Sequence, residues 1–209
     1  MPTIVLSVKK YLLFLCLFSW KISAQNLDTR LLQDVYGPIQ PTNVSTAKFI
    51  SSTAKPLSLA LPAGLLIAGF STQNKTLQQQ GWQALGGFVI GTGITQVTKR
   101  IVLRDRPFIE HPTLFAARVE GEEPHYSFPS GHTTVAFSTA TTLAINYRKW
   151  YVIVPAYAWA GAVGYSRMRL GVHYPSDILA GAVAGAASAW LSYKIQQKWL
   201  NRKTRKSSN

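Results

Sequence analysis

Five uncharged apolar segments, divided by short clusters of charge, set the terms on which this chain can fold. Pro56–Asn74 and Thr76–Thr98 hold no Asp, Glu, Lys or Arg and are long enough to cross a bilayer. Thr133–Tyr147, Trp150–Ser166 and Ile178–Tyr193 are shorter and rich in small residues and Thr, which let helices approach closely. None alternates with a period of two, so strands are disfavoured. The chain is 47% hydrophobic but only 14% charged, against roughly 25% charged in a typical soluble domain. The expectation is an all-α bundle of about five to six helices that spans a membrane. The alternative is a soluble, exported bundle whose buried helices resemble spans.

The charges sort by side. If the five segments cross a membrane, one face receives Lys75, Arg148–Lys149 and the cationic run Lys194–Lys206. That is the cytoplasmic pattern of the positive-inside rule. The other face receives Lys99–Glu123, His125–His132 and Ser166–Asp177, so every polar cluster falls together on the outer face, which in a bacterial inner membrane is periplasmic. The net charge of +14 fits nucleic acid, anionic lipid or a phosphorylated substrate, but nothing in the chain resembles a base-reading element.

The start reads as a secretory signal. Lys9 and Lys10 precede the apolar run Tyr11–Trp20, and Ala24 offers a small residue for cleavage. Residues 1–24 are therefore expected to form a signal peptide, with retention as an anchor the weaker reading. Residues 25–55 form a polar, exported lead-in broken by Pro38 and Pro41, with one short amphipathic helix around Leu27–Tyr36. Residues 56–200 carry the helical domain, and 201–209 a basic tail. Cys16, the only cysteine, lies in the leader, so the mature chain has no disulfide and no cysteine metal site.

Three clusters carry chemistry. In the first, Lys99 and Arg106 are seven residues apart, which puts two cations on one helix face if the helix runs to Pro107. In the second, Pro129, Ser130, Gly131 and His132 form a turn into a helix. Ser130 suits the N-cap, Gly131 allows close backbone approach, and the free amides of a helix start attract an anion. In the third, Arg167 is a planar fork suited to phosphate oxygens. His173 and Asp177 are four apart, and a carboxylate on one imidazole nitrogen leaves the other as a nucleophile. A single cluster reads equally well as a capped helix or an incidental ion pair; three on one side do not.

Lys99-x6-Arg106-Pro107, Pro129-Ser130-Gly131-His132 and Ser166-Arg167-x5-His173-x3-Asp177 resemble the three-part signature of the type 2 phosphatidic acid phosphatase superfamily. That group includes lipid phosphate phosphatases, bacterial acid phosphatases and vanadium haloperoxidases. Residues 1–55 lie outside the resemblance. It implies that His173 attacks phosphorus, that Asp177 orients it, and that His132 protonates the leaving oxygen and then activates water. Lys99, Arg106, Ser130, Arg167 and the Gly131 amide would hold the phosphoryl oxygens, with no metal or other cofactor. Opposite protonation states of the two histidines imply a bell-shaped pH profile.

The resulting expectation is a metal-independent phosphatase acting on phosphatidic acid, phosphatidylglycerol phosphate, a polyprenyl diphosphate or a lipid A phosphate. It would sit in the inner membrane with its site facing the periplasm. A soluble periplasmic acid phosphatase is the same-class alternative, and a basic protein binding anionic lipid the non-enzymatic one. A haloperoxidase reading is disfavoured by the short chain. His111, His125 and the acidic residues of the 108–128 loop read as solvated surface. Arg104 and Arg169 read as cations over the mouth, with Asp105 paired to Arg104 or Arg100.

Overall fold

The computed structural model describes residues 27–207, among which every regular element is a helix. The leader, its Ala24 cleavage point and Cys16 lie outside the described residues. A short helix α1 (27–36) is followed by α2 (Pro41–Ser71), α3 (Lys75–Val102), the single turn α4 (Pro107–Glu110), α5 (Gly131–Tyr147), α6 (Trp150–Arg169) and α7 (Pro175–Ser207). The amphipathic helix expected at Leu27–Tyr36 is therefore present. α2 begins well before the apolar segment expected from Pro56: Pro41 sits in its first turn, where a missing N–H costs nothing, and Pro56 and Pro62 lie inside it.

α5 is the central helix, touching α2, α3, α6 and α7. It can be central because it and its neighbours meet through small side chains: Ala136 and Ala140 of α5 and Ala160 of α6 are fully buried. A Cβ added at Gly185 of α7 would lie 2.2 Å from the Thr134 carbonyl oxygen, so backbones touch there. α3 carries charge only at its ends, at Lys75, Lys99 and Arg100, but it falls short of the apolarity of a span; Gln78 and Gln83 are buried against neighbouring helices. The stretches 41–71 and 175–201 are long and apolar enough to cross a membrane. Large apolar side chains, among them Ile67, Val89, Val154, Val183 and Trp190, point outward around the bundle.

The long helices run antiparallel to their chain neighbours, which collects the start of α2, the end of α3, the start of α5, the end of α6 and the start of α7 at one end. α1 packs on that end through Leu32, buried with Phe115 and Tyr174. Arg118 and Arg169 donate to the carbonyls of Val35, Tyr36 and Gly37 that close α1. Arg169 is thus a clamp on α1 and not a cation over the mouth.

Close packing of α5 on α7 gives a test. Gly185→Ala is expected to lower the thermal unfolding midpoint in detergent markedly, since overpacking costs about 1–3 kcal/mol. Gly161→Ala, with nothing within 4 Å of the new Cβ, is expected to leave the midpoint unchanged or raise it slightly. Equal effects would contradict this packing.

Candidate active site

Each polar cluster reaches the site by its own route. α3 stops at Val102, with Leu103 in the left-handed region (φ 49°) donating back to the Lys99 carbonyl. Lys99 and Arg106 therefore do not share a helix face as expected. Arg106 lies in the following loop as N-cap of α4, and Pro107 opens that helix instead of ending α3. The loop folds back, and the two cations line one cavity.

Ser130 occupies the N-cap position of α5, but its side chain makes no capping bond. Its Oγ accepts from Thr133 (3.0 Å), and its N–H donates to the Asp177 carbonyl (3.1 Å). Gly131 and His132, the first residues of α5, form part of the cavity wall. A Cβ at Gly131 would meet only the Thr95 methyl, at 3.6 Å, so the protein's own packing leaves room beside that amide.

His173 lies in the α6–α7 connection, just before α7, and is 1% exposed. Its Nδ1 is 3.5 Å from Asp177 Oδ2 and 3.4 Å from Ser127 Oγ; its Nε2 is 3.2 Å from Arg106 Nη1. Arginine can only donate, so Nε2 accepts and the neutral ring carries its proton on Nδ1, toward the carboxylate. Burial, then repulsion from Arg106, Arg167 and Lys99, holds the ring's pKa well below the ordinary 6.5. The lone pair of Nε2 is thereby available.

Asp177 is itself fixed on every side. Its Oδ2 accepts from Tyr174 N (2.9 Å) and Ser127 Oγ (2.6 Å), and its Oδ1 from Arg104 (2.7 Å). The bond to Tyr174 N is the reciprocal capping contact of a helix start, which the acid in the first turn makes possible. Arg104 continues to Asp28 of α1 (2.8 Å), and Asp28 also accepts from Ser176 N (2.9 Å). Sequence reading missed this chain. Arg104 is not a mouth cation, and Asp105 pairs with His125 (2.6 Å) instead of an arginine.

Arg167 is 2% exposed. Nη1 donates to Ser51 of α2 (2.9 Å), Nη2 to Glu122, and Nε is buried with no partner among the described residues. Glu122 also pairs with Arg106 (2.7 Å). Read from sequence as part of a solvated loop, Glu122 instead bridges the two guanidiniums, so one carboxylate takes donors that two phosphate oxygens could take. Burial raises its pKa, but Arg167 and then Arg106 outweigh that and hold it at about 2.

His132, His173, Lys99, Arg106 and Glu122 line one cavity of about 270 Å³. A space walled by cations, helix-start amides and two imidazoles suits a tetrahedral anion and proton transfer on either side of it. Among the described residues no group of three or more His, Cys, Asp or Glu is placed to hold a metal ion.

The sequence model of the PAP2 superfamily matches residues 80–201, more than half of the chain. The chain belongs to the PAP2 superfamily. An undecaprenyl-diphosphatase of Sulfolobus acidocaldarius is 36% identical over 110 residues, 52% of each chain. A lipid A 4'-phosphatase of Bacteroides thetaiotaomicron is 38% identical over 73 residues, 35% of this chain and 32% of that one. The chain thus spans about half or less of these relatives' length. In fold it is similar to Aquifex aeolicus LpxE (TM-score 0.64, 23% identity, 79% of this chain and 93% of that one). It is also similar to a transmembrane PAP2-type phosphatidylglycerolphosphate phosphatase of Bacillus subtilis (TM-score 0.62, 23% identity, 91% and 96%). The PAP2 match contains every residue of the three clusters but not Asp28 or Ser51, which come from the preceding helices.

Glu122 gives a test with a definite sign. A carboxyl held at about 2 in the fold, against an ordinary 4.5, adds stability that is present above the ordinary value and lost as pH falls toward 2. The gap in unfolding midpoint between the unaltered protein and Glu122→Gln is expected to be widest near pH 6 and to close by about pH 2. A gap independent of pH would show that Glu122 is not held as an ion by the two arginines.

Proposed function

We propose that this chain is a membrane-embedded lipid phosphatase that works through a phosphohistidine without a metal. The single observation that carries the reading is that His132 and His173 line one cavity together with Lys99 and Arg106. His173 Nε2 attacks phosphorus while the bond to the leaving oxygen breaks, and that oxygen takes a proton from His132. Neutral His132 then removes a proton from water, the water oxygen attacks phosphorus, the N–P bond breaks, and inorganic phosphate leaves. Asp177 stabilises the charge that His173 acquires. Arg106, Arg167, Lys99, Ser130 and the Gly131 amide hold the phosphoryl oxygens, and the unpartnered Nε of Arg167 is one donor ready for them. Substrate binding displaces Glu122 from at least one arginine.

The substrate class follows from the surroundings and the relatives. Outward-facing apolar side chains and two span-length helices support a bilayer setting. A substrate whose phosphate enters the polar end while its tail stays in hydrocarbon fits that setting. The similar proteins act, by name, on undecaprenyl diphosphate and on lipid A phosphate, and phosphatidic acid and phosphatidylglycerol phosphate belong to the same chemical class. The cationic ends of α2–α3, α5–α6 and α7 support an orientation with the site on the outer, periplasmic face of the inner membrane.

In detergent, release of inorganic phosphate from these lipids is expected to survive chelation and to fall by about 10³-fold or more in His173→Ala. His132→Ala is expected to lose turnover of alkyl phosphates to a similar degree. With 4-nitrophenyl phosphate, whose leaving group needs no proton, it is expected to keep a burst of about one product per enzyme. Full activity in His173→Ala would overturn the reading.

A further inference from the structure

We propose that Lys55 is a specificity-determining residue that binds a second phosphate carried on the leaving oxygen, so that the chain prefers lipid diphosphates to lipid monophosphates. The proposal rests on the phosphatase reading above and adds to it a residue outside the three clusters. Lys55 lies on α2, upstream of the PAP2 match.

The neighbours of Lys55 on α2 fix its position. Ser51, one turn before it, accepts from Arg167 (2.9 Å). Ser58, about one turn after it, donates to the Val135 carbonyl (3.1 Å). Residues spaced by three and four lie near one another on a helix, and Lys55, itself exposed, lines the rim of the cavity between these contacts. Val135 lies one turn beyond His132 on α5. Lys55 therefore stands at the depth of His132, on the α2 side of the same cavity.

The wall around Lys55 is apolar, with Leu59, Phe88 and Val135 lining the same space. Among the described residues no carboxylate pairs with Lys55; the nearest acidic member of the cavity, Glu122, is committed to Arg106 and Arg167.

Direction then decides which anion. Arg106 touches His173, on the attacking side. His132 serves the leaving oxygen, on the opposite side, and Lys55 flanks His132. In a monoester the group departing there is a neutral alcohol, which offers Lys55 nothing. In a diphosphate the bridging oxygen departs with the electron pair of its bond to the terminal phosphorus and takes the His132 proton. The departing group is then a lipid monophosphate whose negative charge lies where the Lys55 ammonium can reach. Its cation would stabilise that charge as it develops.

The test compares farnesyl diphosphate with farnesyl monophosphate, which share one tail, using the unaltered protein, Lys55→Met and Lys55→Arg in detergent. Expected is a preference of the unaltered protein for the diphosphate. In Lys55→Met, kcat/KM for the diphosphate is expected to fall about 10- to 100-fold, with the monophosphate within about 3-fold. Lys55→Arg is expected to retain most of the preference. Phosphatidylglycerol phosphate, whose second phosphate is three carbons further away, is expected to behave as the monophosphate does. Equal losses on diphosphate and monophosphate, no loss on the diphosphate, or an equal loss on phosphatidylglycerol phosphate would overturn the assignment while leaving the phosphatase reading intact. An unaltered protein that turns over none of the three would overturn that reading itself.

Discussion

Two guanidiniums buried side by side dictate most of what surrounds them. Arg106 and Arg167 are 3% and 2% exposed, and like charges at such depth repel strongly in a medium that screens poorly. The structure answers with Glu122, whose carboxylate bridges the pair. Removing one partner of such a set would leave an uncompensated buried charge, which is the expensive outcome. The 103–130 loop, although exposed over much of its length, is therefore tied to the cavity wall through Arg106 and Glu122. Arg106 adds backbone contacts that pin it further, to the carbonyls of Glu123 (2.7 Å) and Val172 (2.8 Å).

The topology makes that convergence inexpensive in chain length. Antiparallel neighbours bring two helix starts, α5 and α7, and two helix ends, α3 and α6, to one end of the bundle. The starts present partial positive charge, and the ends carry basic residues in their last turns, Lys99 and Arg100 on α3 and Arg167 and Arg169 on α6. The same end is sealed by α1, which holds Arg104 through Asp28, and Arg104 holds Asp177, which faces His173. A helix outside the family match is thus mechanically joined to the imidazole. Close packing below the site, with alanines and glycines where α5 meets α6 and α7, keeps these ends in register.

Much of this was legible in the sequence because its signals are local. Uncharged segments became α3, α5, α6 and α7, although α7 starts at Pro175, three residues before the apolar segment. Two failures were also local. Pro41 suggests a break in the sequence, but proline begins a helix as readily as it ends one, and α2 starts there. Lys99 and Arg106 were placed on one face by spacing, but Leu103 turns left-handed and stops the helix between them. The remaining misses are long-range. Glu122 with Arg167, Asp28 with Arg104 and Ser51 with Arg167 are pairs separated by 45, 76 and 116 residues. No periodicity or spacing rule links such partners; only the fold brings them together.

In the function proposed above, two imidazoles and a set of cations enclose one tetrahedral anion. A structure of the protein with orthovanadate tests it directly, because vanadate takes up the five-coordinate geometry of a phosphoryl group in transfer. A single vanadate is expected, bonded to His173 Nε2, with His132 on its opposite side, Arg167 Nε engaged and Glu122 withdrawn from at least one guanidinium. Vanadate bound away from His173, or touching His173 while His132 faces elsewhere, would contradict it.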